Sequence, residues 1–254
     1  AYFDCFSGAS GDMIVGALLD AGLGIEALRS ALGGLRLPGY SITAEKVRRA
    51  GLAGTKFSVL VTAGQEPHRR LPNILQLLQG ANLPARPAEL ARAIFTRLAA
   101  AEAKVHGLAV EDVQFHEIGA TDSIVDVVAA AVGMELMGIE GVYCSPVAVG
   151  GGTIRTAHGL LPVPAPATAE LLKGAVVTAG WAAAVPGELT TPTGAAVLAT
   201  VAKGFGAIPA MAVEAVGYGA GAREGEAMPN LLRVMIGSAD QDGSADAVVE
   251  LSAN

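Results

Sequence analysis

Four short segments hold the residue types that could do chemistry. In the first, Asp4-Cys5-Phe6-Ser7-Gly8-Ala9-Ser10-Gly11-Asp12 sets small hydroxyl and glycine residues between a strand-like Tyr2-Phe3-Asp4 and a helical run. Free backbone N–H groups at a helix start, together with the helix dipole, favour an anion, and glycine lets it approach the backbone. Ser7, Gly8, Ser10 and Gly11 are therefore candidate substrate contacts, and Asp12 is a candidate catalytic carboxylate. No lysine follows the last glycine, so the segment is not a P-loop. The competing reading is a tight turn in which Ser10 caps the helix and Asp12 complements its dipole. The second segment, Thr190-Thr191-Pro192-Thr193-Gly194, is another hydroxyl-rich helix start, again either a cap or an anion site, and adds Thr191 and Thr193.

The densest polar stretch is Phe115-His116-Glu117-Ile118-Gly119-Ala120-Thr121-Asp122, with Asp126 one turn beyond Asp122 on the same helix face. A neutral imidazole can bind a metal or take a proton, and nearby carboxylates can complete a cation site or tune the histidine. Asp126 stands within an otherwise apolar helix and needs a partner, which a structural ion pair would also supply. The fourth segment holds His158, placed before the stiff Pro162-Val163-Pro164-Ala165-Pro166 run, either as a positioned metal ligand with Asp122 and Asp126 or as an ordinary loop residue. His68 reads as a solvated loop residue and His106 as a helix C-terminal residue favoured by the dipole. Cys5 and Cys144 read as small buried side chains, since neither has a base nearby in sequence.

These segments require a scaffold of alternating strands and helices. Asp12 to Ala21 predicts a helix stopped by Gly22, and Ser41–Val47 with Lys56–Thr62 a hairpin turning at Gly51–Gly54. Pro72–Gln79 and Pro87–His106 predict helices with proline near their first position, the second with a core stripe of Leu90, Ile94, Leu98 and Val105. Thr121 is expected to cap a buried, apolar helix running to about Met137, and Thr191-Pro192 to open one running to Lys203. Strands near Met211–Val216 and Leu231–Ile236 flank a glycine-rich connection over Gly217–Gly221. The expectation is an α/β fold: a mixed sheet with surrounding helices and glycine-rich loops at helix N-termini. Residues 1–237 would form one domain, 238–247 a linker, and 248–254 the start of a further strand.

Composition narrows the function class. At 254 residues, the chain is long enough to bury a core without staples, and two cysteines lacking paired spacing indicate a reducing, cytoplasmic compartment. A net charge of -7 with scattered basic residues argues against nucleic acid, and no apolar run approaches the ~20 residues of a membrane span. Hydrophobic residues reach 52% with only 4% aromatics, which predicts a close-packed aliphatic core and leads us to expect a homo-oligomer.

The blocks at 2–13, 115–124, Ala157-His158-Gly159-Leu160-Leu161-Pro162 through Thr168, and Glu188-Leu189-Thr190-Thr191-Pro192-Thr193-Gly194-Ala195-Ala196 together resemble one family. It is the nickel-insertion proteins of nickel-pincer cofactor biosynthesis, and the likeness runs in order from about residue 2 to 237. The resemblance implies insertion of nickel into pyridinium-3,5-bisthiocarboxylic acid mononucleotide, in a reaction that consumes CTP in the presence of manganese or magnesium, to make the cofactor of lactate racemase. It gives the anion-binding loops a phosphate to hold, and His116 or Glu117 a ring proton to remove. It also implies a second domain, associated with CTP, beginning near Val248. Many relatives carry a histidine-rich tract where this chain has Gln65-Glu66-Pro67-His68, and Gln114 stands where they often have another histidine. Two other readings remain open beside it: a metal- and substrate-binding module without its own catalysis, and a phosphate-handling hydrolase.

Overall fold

The computed structural model describes residues 1–62, 69–115, 119–156, 159–180, 186–223 and 228–239. Among them is a seven-stranded mixed sheet built from β1 (Tyr2–Asp4), β2 (Tyr40–Arg49), β3 (Leu52–Val61), β4 (Val142–Cys144), β5 (Ala202–Phe205), β6 (Met211–Ala220) and β7 (Leu231–Ala239). Their order across the sheet is β5-β4-β1-β7-β6-β3-β2. β1 runs parallel to β4 and antiparallel to β7, with Tyr2 opposite Tyr143 on one side and Met235 on the other. The helices are α1 (Gly11–Asp20), α2 (Ile25–Leu32), α3 (Leu71–Gly80), α4 (Ala85–His106), α5 (Thr121–Leu136), α6 (Pro166–Leu171) and α7 (Pro192–Val201). None of the helices is long and apolar enough to cross a membrane, among the described residues.

Helix α1 lies across β6, β3 and β7, and α5 packs on α1 with α4 behind it. The core gathers Phe3, Cys5, Ile14, Leu18, Phe57, Phe95 and Ile124 between these layers, with no solvent exposure. The approach of α1 to the sheet depends on missing side chains: a Cβ on Gly219 would stand 1.8 Å from the Met13 carbonyl oxygen, and one on Gly217 would stand 2.2 Å from that of Ala17. The far end of α1 is tied down through Asp20, whose carboxylate accepts from the Thr55 hydroxyl (2.6 Å), the Tyr218 N–H (2.9 Å) and the Lys46 ammonium.

Several expectations change at this level. Gly217–Gly221 is not a connection: β6 continues through Ala220, because its glycines lie under α1 and ladder with β7. The hairpin turns earlier than expected, at Ala50-Gly51, where both residues take positive φ (45° and 83°), as a two-residue turn demands. α7 stops at Val201, and Lys203 belongs to β5, drawn into the sheet beside β4. Ala120, not Thr121, holds the N-cap position of α5, and Thr121 is buried in its first turn. On α4 the buried stripe is Ala91, Ile94, Phe95, Leu98 and Ala99, while Val105 near its C-terminus is exposed. β7 runs through Ser238 and Ala239, where a linker was expected, and residues 240–254 lie outside the described residues.

Candidate functional site

The chain leaves β1 at Cys5 and turns tightly, with the Gly8 N–H on the Cys5 carbonyl at 3.0 Å and Gly8 at φ 83°. It then zips against the segment before α7: Ala9 N–H donates to Leu189 O (3.1 Å) and Thr191 N–H to Ala9 O (3.0 Å). Thr190 fastens the crossing, accepting from Ala9 N–H at 3.2 Å and donating to Ala148 O at 2.7 Å. Thr191 caps α7 by accepting the Gly194 N–H at 3.2 Å. This long-range crossing sets the N-termini of α1 and α7 side by side. Helix α5 brings in a third: a Cβ on Gly11 would lie 2.7 Å from Cβ of Asp126, so only glycine admits this contact.

A cavity of about 400 Å³ opens where the three helix starts meet β3. Ser10, Gly11 and Asp12 line it from α1; Asp122, Ser123 and Asp126 from α5; Thr191, Pro192 and Thr193 from α7. Lys56, Phe57, Ser58 and Val59 of β3 and Glu188 complete the wall. The volume suits a small ligand. Ser10 does not cap α1 with its hydroxyl but donates it to Asp12, whose Oδ1 also accepts the Met13 N–H at 2.9 Å. The Lys56 ammonium binds the other Asp12 oxygen.

Burial pushes the Asp126 carboxyl well above the ordinary carboxylate range, and the charges of Asp12 and Asp122 push it further, against the pull of Lys56 and the Asp12 N–H. A carboxyl placed in this way favours its protonated form. Among the described residues, no three of His, Cys, Asp and Glu are arranged to hold a metal ion. Cys5 and Cys144 are both fully buried, and a hydrogen bond with Cys144 together with burial raises the Cys5 thiol well above its usual value, which leaves Cys5 no thiolate character.

Of the residues singled out from sequence, the cavity brings together Ser10, Gly11, Asp12, Asp122, Asp126, Thr191 and Thr193. Ser7 is buried behind the turn and, like Gly8, does not line the cavity; Gly8 packs on Leu189 instead. His116, Glu117, His158 and His68 lie outside the described residues. The strand preceding His116, Gln114–Phe115, pairs with Arg69–Arg70 in a ribbon of its own rather than in the main sheet. Sequence reasoning missed Lys56, Ser58, Ser123 and Glu188. Lys56 sits within a strand between Thr55 and Phe57 and carries no local signal of a site, whereas Ser123 and Glu188 lie inside motif blocks and were readable there.

The family model for nickel insertion proteins matches residues 1–254. This chain belongs to that family. It is 49% identical over 250 residues to a putative nickel insertion protein of Citrifermentans bemidjiense, covering 98% of this chain and 64% of the relative. It is 47% identical over 251 residues to a pyridinium-3,5-bisthiocarboxylic acid mononucleotide nickel insertion protein of Desulfitobacterium hafniense, covering 98% of this chain and 61% of that one. A further relative, from Geobacter sulfurreducens, is 49% identical over 255 residues. The chain thus spans a little under two thirds of the length of these relatives. No solved structure matches it.

Proposed function

We propose that this chain is the nickel- and mononucleotide-handling part of an enzyme that inserts nickel into pyridinium-3,5-bisthiocarboxylic acid mononucleotide. The observation that carries the reading is the meeting of three helix N-termini, one lysine and four carboxylates around one cavity, in a member of the nickel insertion family. The two halves of that wall suit two unlike reactants. The helix starts at Ser10-Gly11 and Thr191–Thr193, with Lys56, favour a phosphate monoester. Asp12, Asp122 and Glu188, joined by Asp126 once it gives up its proton, offer hard oxygen donors to a divalent cation entering as a substrate. Their excess of negative charge over Lys56 also raises the local concentration of that cation.

Nickel replaces a hydrogen on the pyridinium ring and binds the two flanking thiocarboxylates, so the ring proton must leave. His116 or Glu117, each preceding α5 in sequence, is assigned as its acceptor by family resemblance, and His158 as a nickel ligand from its motif block. CTP, with manganese or magnesium, is assigned mainly to the remaining third of the full-length protein. The product would be the nickel-pincer cofactor of lactate racemase, made in the cytoplasm by a lyase-type metal-inserting enzyme. A second reading, in which this chain binds metal and substrate while chemistry needs the remaining third, draws support from the shortfall in length against the relatives. Nickel insertion followed by mass spectrometry of the product, with this chain alone and with the full-length protein, separates the two. In the full-length protein, His116→Ala should cost at least about 100-fold in insertion rate with Tm unchanged; a rate within a few-fold of the parent removes His116 from the chemistry.

A further inference from the structure

Among the described residues lining the cavity, Lys56 is the single cation, and it shares the space with Asp12, Asp122, Asp126 and Glu188. Its ammonium is bound to one oxygen of Asp12, while the other oxygen takes the Ser10 hydroxyl and the Met13 N–H. Both oxygens of Asp12 are therefore engaged within the protein. No three potential ligands among the described residues converge on a metal position. A dication brought to Asp12 would meet the ammonium at close range, and the two like charges would oppose one another. The Lys56 side chain is one-fifth exposed, and its charge rides on a flexible four-carbon stem. The N-termini of α1 and α7, where a phosphate would sit, line the same cavity as Lys56.

We propose that Lys56 is an exchangeable internal cation: it neutralises Asp12 until the phosphate monoester of the mononucleotide draws its ammonium away, and only then does Asp12 accept Ni²⁺. The proposal rests on the reading of the cavity as the nickel and mononucleotide site, and it adds an order. Mononucleotide binds first and strengthens nickel binding. Because coupling between two sites is reciprocal, nickel must strengthen mononucleotide binding by the same factor. Lys56 acts here as a positioning residue, through Asp12, and not on the reacting atoms.

The test is equilibrium binding on the tag-free chain, with Ni²⁺ measured by competition against a colorimetric chelator. The probes are nicotinamide mononucleotide, which carries a pyridinium ring and a phosphate monoester, and nicotinamide riboside, which lacks the phosphate; nickel binding by each probe alone is subtracted. Wild type should bind nickel at least about 5-fold more tightly with the mononucleotide, the lower end of ordinary coupling, and show no such gain with the riboside. Lys56→Gln should bind nickel at least about 10-fold more tightly than wild type without mononucleotide, since a positive charge has left the site, and should lose the coupling. Lys56→Arg, which keeps the cation, should retain it. Equal nickel affinity of wild type with and without mononucleotide overturns the proposal, and this arm needs no variant to fold. Unchanged or weaker nickel binding by a folded Lys56→Gln overturns it as well. Binding of both nickel and mononucleotide without coupling removes only the role of Lys56, whereas binding of neither removes the reading of the cavity and the proposal with it.

Discussion

Replacing Gly219 by alanine is expected to damage the protein out of proportion to one methyl group. Alanine is intrinsically the better residue in a strand interior by about 0.5–1 kcal/mol, so any loss must come from contact. The new Cβ would lie 1.8 Å from the Met13 carbonyl oxygen and 2.6 Å from the Ala17 nitrogen, both backbone atoms of α1 that no rotamer change can move. Restoring ordinary contact requires α1 to retreat by roughly 1.5 Å, and a gap of only ~0.5–1 Å already forfeits a quarter to a half of the dispersion attraction. Met13, Ile14, Val15, Ala17 and Leu18 on α1 are all buried and would lose partners together. Overpacking typically costs about 1–3 kcal/mol, and a backbone clash places Gly219→Ala at the upper end, a fall of about 6–12 °C in Tm for a chain of this size. Urea unfolding measures it directly. Gly33→Ala is the control: Gly33 has φ -57° and nothing within 4 Å of the position its Cβ would take, so that variant should match or slightly exceed wild type. The same retreat would carry Ser10, Gly11 and Asp12 out of the cavity wall, so mononucleotide binding should weaken in parallel. A Gly219→Ala protein that loses less than about 1 kcal/mol would refute the claim that glycine is there to admit α1.

Three further outcomes follow from the same geometry. Asp126 has a folded-state pKa raised by burial and by neighbouring carboxylates, so it destabilises the fold increasingly as pH rises from its unfolded value through its folded one; Asp126→Asn should therefore raise Tm at neutral pH and flatten its pH dependence, and a lower Tm at every pH would contradict this. Burial alone would raise Asp20, but the hydrogen bonds from Lys46, Thr55 and Tyr218 outweigh it and hold it below the usual value, so its contribution is present above the unfolded pKa and lost as pH falls through the folded one. Asp20→Asn should cost about 1–2 kcal/mol at pH 7 in chemical denaturation, with the difference from wild type shrinking toward acid pH. Thr191→Val removes the oxygen that caps α7 and should cost about 1 kcal/mol in stability, with a matching loss of phosphate affinity if that helix start holds the anion.

What could be read locally was read from the chain itself. Proline near helix starts, the stop at Gly22, the alternation of Ser41–Val47 and Lys56–Thr62, and the small-residue loop before α1 depend on neighbours within a few positions, and they placed α1, α3, α4, α5 and the hairpin. The motif blocks were also enough to identify the family that the whole chain matches. Short α2 went unread although its two buried leucines, Leu28 and Leu32, stand one turn apart on one face: its N-cap is Gly24 and its C-cap Gly33, so no capping side chain marks where it starts or stops. The glycines of β6 looked like a loop because their reason for being there, the backbone of α1, is some two hundred residues away in sequence. Site membership obeyed the same limit: Ser10 and Thr193 were legible as helix starts, but that they share a cavity follows from the Ala9–Thr190 crossing, which joins positions 181 residues apart. Lys56 shows the boundary most plainly. Its sequence context is that of any strand lysine, and only the packing of β3 beside α1 sets its ammonium on Asp12, because electrostatic partners are chosen by distance in space and not along the chain.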